Sequence, residues 1–145
     1  ICIACSGQEK QWGVENYIEL INFLIKNNYN KFLLLSGIDQ SNLEKNIVNN
    51  FSKNIEFIDT STKTIGEVIP YLKKCKFVIG NDTGFSHLSV AYNKKTFVIL
   101  GDCPPHTYSN LILPIDKDDD VKRSIDSIKT IKLEKVLNYL NKHLI

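Results

Sequence analysis

Short apolar runs alternate with segments of helical period along the whole chain, and this alternation constrains the fold more than any other feature. Parallel strands that are buried on both faces read as near-continuous apolar runs, whereas the helices that cover them carry apolar residues three and four apart. The pattern therefore predicts βαβ units, an α/β class and a doubly wound parallel sheet in a single domain. The predicted strands cover residues 1–4, 31–35, 55–58, 77–80, 96–100 and, with a weaker pattern, 111–113.

Two capping boxes predict where helices begin. Ser41-x-x-Glu44 and Thr64-x-x-Glu67 both place a hydroxyl three residues before a carboxylate, ahead of an apolar stripe. Pro70 is expected to kink or restart the second of these helices, because it lacks an N–H and its ring clashes with the preceding turn. Apolar spacing predicts further helices from residue 14 to residues 27–28, from 85 to 92, and as one or two helices between 125 and 140.

Composition narrows the class of protein. The 145 residues suffice for one domain of ordinary size, and 43% hydrophobic with 23% charged residues is typical of a globular chain. The formal net charge of +2 offers little for tracking phosphates, so nucleic acid is not an expected partner. Because the chain has no methionine and opens inside a predicted strand, we expect it to be a piece of a longer protein.

The expected topology singles out two loops. In the usual doubly wound strand order, 3-2-1-4-5-6, the first and fourth strands are neighbours, and ligands bind at their carboxyl ends. These ends carry residues 5–13 and 81–84. Neither the dinucleotide pattern G-x-G-x-x-G nor the P-loop pattern occurs, which disfavours nicotinamide redox chemistry and nucleotide-triphosphate hydrolysis.

The loop after the fourth predicted strand reads Asn81-Asp82-Thr83-Gly84 and leads into a helix. Any of the first three residues can cap that helix, and Gly84 lets a ligand such as a diphosphate approach its N-terminal amides. His87 can reach the same place, because helical side chains lean toward the N-terminus. The alternative is an ordinary cap followed by a half-buried histidine.

The loop after the first predicted strand contributes Ser6, Gly7 and Lys10. Lys10 is the only cation in either loop and is either the counter-charge of a phosphate or a solvated surface lysine. Asp39, after the second predicted strand, can accept from ribose hydroxyls or simply form a turn. Residues 102–106 either border the same pocket or form a rigid turn through two prolines.

Residues 77–92, FVIGNDTGFSHLSVAY, resemble the signature of glycosyltransferase family 9, the heptosyltransferases of lipopolysaccharide core assembly. Residues 9–12, EKQW, are similar to that family's K-x-W-P element, with Gly13 in place of the proline. The likeness extends over residues 1–108. Two differences bear on which donor is bound: residues 100–103 read LGDC where the family has F-G-P-T, and Cys5 stands where a hydroxyl residue is expected.

The resemblance implies the Rossmann-like C-terminal half of a GT-B enzyme. Residues 1–145 would form the domain that binds a nucleoside-diphosphate sugar, usually ADP-heptose, and an N-terminal acceptor-binding domain would lie outside this chain. The implied reaction is an inverting transfer to a glycolipid acceptor that needs no metal or other cofactor. Lys10 would stabilise the leaving diphosphate, while the general base would come from the N-terminal domain. The implied donor contacts are Cys5, Ser6, Gly7, Lys10, Asp82, Thr83, Gly84 and His87, with Asp39 or Glu44 as the acid that binds ribose.

This interpretation carries further expectations and leaves two alternatives. The isolated chain should be inactive, and the full-length enzyme should be cytoplasmic or peripheral at the inner face of the cytoplasmic membrane. The alternatives are a non-catalytic nucleotide-binding or assembly module of the same fold, and another GT-B enzyme such as a nucleotide-sugar epimerase. An acidic residue that faces the cleft from the N-terminal half would distinguish a transferase.

Overall fold

A computed structural model describes residues 1–7 and 10–144. None of the helices in this part of the chain is long and apolar enough to cross a membrane. Two short 3₁₀ turns lie at Ile38–Gln40 and Ser127–Thr130. The strands are β1 (Lys31–Leu34), β2 (Glu56–Asp59), β3 (Phe77–Asn81), β4 (Lys95–Leu100) and β5 (Ile112–Asp116), and the helices are α1 (Val14–Lys26), α2 (Ser41–Val48), α3 (Ile65–Lys74), α4 (Gly84–Ala91) and α5 (Leu133–Leu144).

All strand pairs are parallel, and the N-terminal segment, residues 1–4, joins them. β1 pairs with β2, and β3, β4 and β5 pair in that order. Cys2 forms isolated parallel bridges to Leu35, just beyond β1, and to Gly80 in β3. The order β2, β1, N-terminal segment, β3, β4, β5 confirms the predicted order 3-2-1-4-5-6, with the segment held by single bridges where a full strand was expected.

Gly80 allows the N-terminal segment to lie directly against β3. Its φ is +148°, a conformation that favours glycine. A Cβ at this position would lie 1.9 Å from the carbonyl oxygen of Cys2. The N–H of Cys2 donates to the carbonyl of Ile79 at 2.7 Å, which completes the close pairing.

Helices cover both faces of the sheet. Val78 and Ile79 are neighbours in β3 but belong to separate apolar clusters, as the two-residue period of a strand requires. One cluster joins the sheet to α1, α2 and α5, and the other joins it to α3. The buried side chains that the helices contribute include Tyr17, Leu20, Leu24, Ile47, Val136 and Leu140 on the first face and Val68 and Leu72 on the second.

The start of α3 confirms one of the two predicted capping boxes. The Thr64 hydroxyl accepts from the N–H of Glu67 at 3.4 Å, and the Glu67 carboxylate accepts from the N–H of Thr64 at 2.8 Å. α3 runs without a break through Pro70, so the predicted restart of the helix is wrong.

The other predicted capping box is wrong. Ser41 is the first residue of α2 and not its cap. The Glu44 carboxylate turns inward and accepts from the hydroxyl of Ser36 at the end of β1. A buried partner across the sheet edge therefore replaces the local capping bond that the spacing suggested.

Candidate functional site

The N-terminus of α4 lies at the carboxyl end of β3, as the sequence predicted. Thr83 is the cap: its hydroxyl accepts from the N–H of Phe85 at 3.2 Å and lies 3.1 Å from the Cys2 sulfur. Apart from the adjacent residues and the backbone of the helix itself, none of the described residues comes within 4 Å of where a Cβ of Gly84 would stand, so this position is open to an approaching ligand. The N–H groups of Phe85, Ser86 and His87 all donate to Thr83, so it is the helix dipole, and not a set of free amides, that makes this terminus favourable for an anion.

Asn81 is a structural residue rather than a cap. Its side chain is buried, its amide oxygen accepts from the Tyr17 hydroxyl at 2.6 Å, and its amide nitrogen donates to the carbonyl of Ala4 at 3.2 Å. The two sequence-predicted loops and α1 are thereby fastened to one another. This bond network fixes the relative position of the loops before any ligand arrives.

The two predicted loops border one small cleft of about 60 Å³. Lys10 and Asp82 lie on its wall, and so does Asp102, which follows β4. The Lys10 ammonium lies 2.9 Å from the Asp102 carboxylate, and each side chain is about one third exposed. This ammonium holds the pKa of Asp102 below its ordinary value. The predicted cation is therefore in the cleft, but a neighbouring carboxylate already compensates its charge.

Two further residues of the first loop also lie at this cleft. Cys5 and Ser6 line it, and the Cys5 thiol donates to the carbonyl of Gly7 at 3.0 Å. The N–H of Lys10 also donates to the Gly7 carbonyl, at 3.1 Å. Gly7 thus shapes the loop through its backbone. Gln8 and Glu9 lie outside the described residues.

The rings of His87, His106 and Tyr108 lie around Asp82. Its carboxylate accepts from Nε2 of His106 at 2.9 Å, and Nε2 of His87 lies 3.5 Å from its other oxygen. That other oxygen, Oδ1, is buried and has no hydrogen-bond partner among the described residues. Nδ1 of His87 is hydrogen-bonded to the hydroxyl of Tyr108, whose pKa is raised by desolvation and by the nearby Asp82 charge. The His87 side chain is 43% exposed on the first turn of α4.

The two candidate ribose-binding acids lie in very different surroundings. Asp39 is exposed in the turn after β1, where its neighbour Gln40 donates to the carbonyl of Cys5 at 3.3 Å. Glu44 is only 3% exposed, and burial raises its pKa to about 7, against the opposing effect of the Ser36 hydroxyl and with a further contribution from Asp59. Asp39 is accessible to a ligand, whereas Glu44 is buried and accepts a hydrogen bond from Ser36, just beyond β1.

Arg123 holds the loop after β4 in place. Its guanidinium donates to the carbonyls of Gly101 (3.2 Å) and Cys103 and to the carboxylate of Asp116 at 2.6 Å. The loop that carries Asp102 and His106 is thus tied to the end of β5. Sequence reasoning placed residues 102–106 near the pocket but did not foresee either ion pair or the part played by Tyr108.

A larger cavity of about 580 Å³ lies at the opposite end of the sheet. It is lined by Lys31, Glu56 and Phe77, which begin β1, β2 and β3. Ligands of open α/β sheets bind at the carboxyl ends of the strands, so this cavity is not the candidate site.

Comparisons with known proteins agree with this architecture. The sequence profile of glycosyltransferase family 9 (heptosyltransferase) matches residues 1–142. Among curated proteins, none matches significantly. Similar solved structures include E. coli ADP-heptose LPS heptosyltransferase II, with a TM-score of 0.80 and 21% identity over 97% of this chain and 44% of that one.

Two further structures have the same fold. E. coli heptosyltransferase WaaC, solved with ADP-2-deoxy-2-fluoro heptose, has a TM-score of 0.76 and 20% identity over 97% of this chain and 41% of its own. A glycosyl transferase family 9 protein from Veillonella parvula has a TM-score of 0.81 and 16% identity over 97% of this chain and 43% of its own. The chain therefore spans less than half the length of these proteins.

Proposed function

Since the chain belongs to glycosyltransferase family 9, the heptosyltransferase family, we propose that it is the donor-binding half of a glycosyltransferase that uses a nucleoside-diphosphate sugar. The observation that carries this proposal is a cleft whose wall holds both Lys10 and Asp82, the residue that directly precedes the cap of α4. A diphosphate needs both a cation and oriented N–H donors when it leaves water. In this proposal Lys10 supplies the cation and the first backbone N–H of α4, that of Gly84, supplies the donor.

The proposed donor is ADP-heptose. WaaC has been solved with ADP and with an ADP-heptose analogue, and its fold matches this chain over 97% of the residues. In this proposal Cys5, Ser6 and Gly7 face the phosphates with Lys10. Asp82 and His87 face the sugar hydroxyls. Asp39 binds the ribose, because it is the accessible acid of the two candidates.

The proposed reaction is a single inverting displacement without a metal. As the acceptor hydroxyl attacks the anomeric carbon, negative charge develops on the β-phosphate. Lys10 and the first N–H of α4 are fixed before the reaction and stabilise that charge where it appears. The general base and the glycolipid acceptor site belong to the N-terminal half of the full-length protein, so the isolated chain transfers no sugar. We propose that the full-length enzyme works in the cytoplasm, at the inner face of the membrane.

One observation favours a second candidate, a non-catalytic nucleotide-binding module. Asp102 opposes the Lys10 charge at 2.9 Å, so a diphosphate must compete with a carboxylate for the ammonium. An ammonium neutralised in this way does less to stabilise a leaving diphosphate, and a module that binds nucleotide without turnover does not need that stabilisation. The two candidates differ in whether the full-length protein consumes an ADP-sugar.

Calorimetric titration of the chain with ADP, UDP and GDP, in the presence of EDTA, tests donor binding directly. We expect weak binding of ADP, because only half of the cleft is present, and weaker binding of the other two nucleotides. Lys10→Ala should abolish the signal, whereas Lys142→Ala, at an exposed position on α5, should leave it unchanged. Absence of heat with all three nucleotides would refute the donor site.

A further inference from the structure

Asp82, His87 and His106 bring one carboxylate and two imidazole nitrogens to one point beside the cleft. Their ligand atoms all lie within 4.8 Å of one another. The carboxylate comes from the loop before α4, His87 from the first turn of α4, and His106 from the loop after β4. We propose that this Asp82–His87–His106 cluster binds a divalent transition-metal ion of the Zn²⁺ or Co²⁺ type.

The distances within the cluster suit such an ion. Three ligands at about 2.1 Å from one metal are separated from each other by about 3.0 Å in octahedral and about 3.4 Å in tetrahedral geometry. The separations from the Asp82 oxygens are 2.9 Å to Nε2 of His106 and 3.5 Å to Nε2 of His87. These two distances involve different oxygens of the carboxylate, and all three donors lie within 4.8 Å of one another, so the side chains must close on the ion when it binds.

The hydrogen bonds around the cluster point the same way. Oδ1 of Asp82 is buried and has no hydrogen-bond partner among the described residues, although it faces a ring nitrogen. The other nitrogen of His87, Nδ1, is bonded to the Tyr108 hydroxyl. An outer hydrogen bond of this kind is typical of metal-bound histidine, since it fixes the ring and leaves the inner nitrogen to the metal. A cation between Asp82 and His87 would satisfy both groups.

The donor set decides the class of ion. Two imidazoles and one carboxylate suit Zn²⁺, Co²⁺ or Fe²⁺ better than Mg²⁺ or Ca²⁺, which prefer oxygen ligands. Three protein ligands leave further positions for water or an anionic oxygen. The ion is proposed as a ligand of these three side chains in the chain without donor and not as a participant in sugar transfer. Because the proposed function assigns Asp82 and His87 to the sugar hydroxyls, ion and sugar would exclude each other there, and this inference does not rest on the proposed function.

Titration of the chain with CoCl₂, followed by visible d–d absorption, tests the cluster without any enzymatic assay. We expect one Co²⁺ per chain, displaced by ZnCl₂. The chain has three histidines, so His143 on α5 provides a matched control. His106→Asn should weaken Co²⁺ binding by about 100-fold, since it removes an inner ligand whose outer partners alone are worth 10- to 100-fold. His143→Asn should leave it unchanged.

Asp82→Asn gives a second test that does not depend on histidine, and circular dichroism establishes that each variant is folded. The Co²⁺ affinity of Asp82→Asn should fall as that of His106→Asn does. In the wild-type chain, MgCl₂ should not displace Co²⁺. Absence of Co²⁺ absorption in the wild-type chain would overturn the proposal. Unchanged Co²⁺ affinity in folded His106→Asn and Asp82→Asn would overturn it as well.

Discussion

The stability of the chain should fall as the pH rises from about 4.5 to about 7, because Glu44 is buried. In the unfolded chain this carboxyl loses its proton near its ordinary pKa of 4.5, whereas burial raises the pKa in the folded chain to about 7. Between these values the folded state binds more protons than the unfolded state, so unfolding becomes easier with each increase in pH. Above pH 7 both states are ionised and the loss is complete.

The magnitude follows from the two pKa values. Raising a pKa from 4.5 to about 7 corresponds to about 3 kcal/mol, at 1.36 kcal/mol per pH unit. Because the Glu44 side chain is 3% exposed and bonded to Ser36, solvent does little to screen this contribution. Stability contributions of this size are a substantial fraction of the free energy of unfolding of a small domain.

Urea unfolding at pH 5, 6, 7 and 8 measures the effect, with Glu44→Gln as the test variant. Glutamine keeps an oxygen for the Ser36 hydroxyl but cannot ionise. We therefore expect the free energy of unfolding of Glu44→Gln, relative to that of the wild-type chain, to rise by about 3 kcal/mol between low and high pH. The control is Glu19→Gln, an exposed position on α1 that should run parallel to the wild type. Parallel curves for Glu44→Gln and the wild type would refute the reasoning.

Three further predictions concern the sheet and the cleft. Gly80→Ala should destabilise the chain by at least about 3 kcal/mol in urea unfolding, since its Cβ would lie 1.9 Å from the Cys2 carbonyl oxygen; wild-type stability would show that the segment moves freely. Lys10→Ala in the full-length protein should lower kcat by the equivalent of about 2–4 kcal/mol in steady-state assays with ADP-heptose, and an unchanged kcat would exclude it from leaving-group stabilisation. Asp102→Asn should bind ADP about threefold more tightly by calorimetry, since it removes a competing charge worth about 0.5–1 kcal/mol, and weaker binding would mean that Asp102 orients Lys10.

The parts of the fold that sequence predicted are those set by local periodicity. The 13-residue apolar stripe of α1 and the continuous apolar run at the start of β3 carry their own signals, because each is read from neighbouring residues alone. The Ser41 capping box failed for the opposite reason: Glu44 had a buried partner 8 residues earlier in the chain, and burial outweighed the exposed local bond. A four-residue capping pattern does not show that Glu44 has a competing partner elsewhere in the fold.

The candidate site was predictable only in outline. The switch-point rule identified both loops, and the structure places Lys10 and Asp82 on the wall of one cleft. Asp102 and His106 belong to a loop without periodicity, whose path depends on contacts with distant side chains. Their pairing with Lys10 and Asp82 spans 92 and 24 residues of sequence respectively, and no pattern in the chain connects them.

The tether formed by Arg123 limits how this cleft can be re-engineered. The Arg123 guanidinium donates hydrogen bonds both to the loop after β4 and to Asp116. In the same loop, a Cβ on Gly101 would lie 2.9 Å from the Cβ of Ile128. A loop grafted from another protein would therefore meet the Ile128 side chain at the position of Gly101. Chimaeras that exchange residues 101–110 alone should therefore misfold locally, whereas those that carry residues 101–128 as one cassette should keep the loop in register with the cleft.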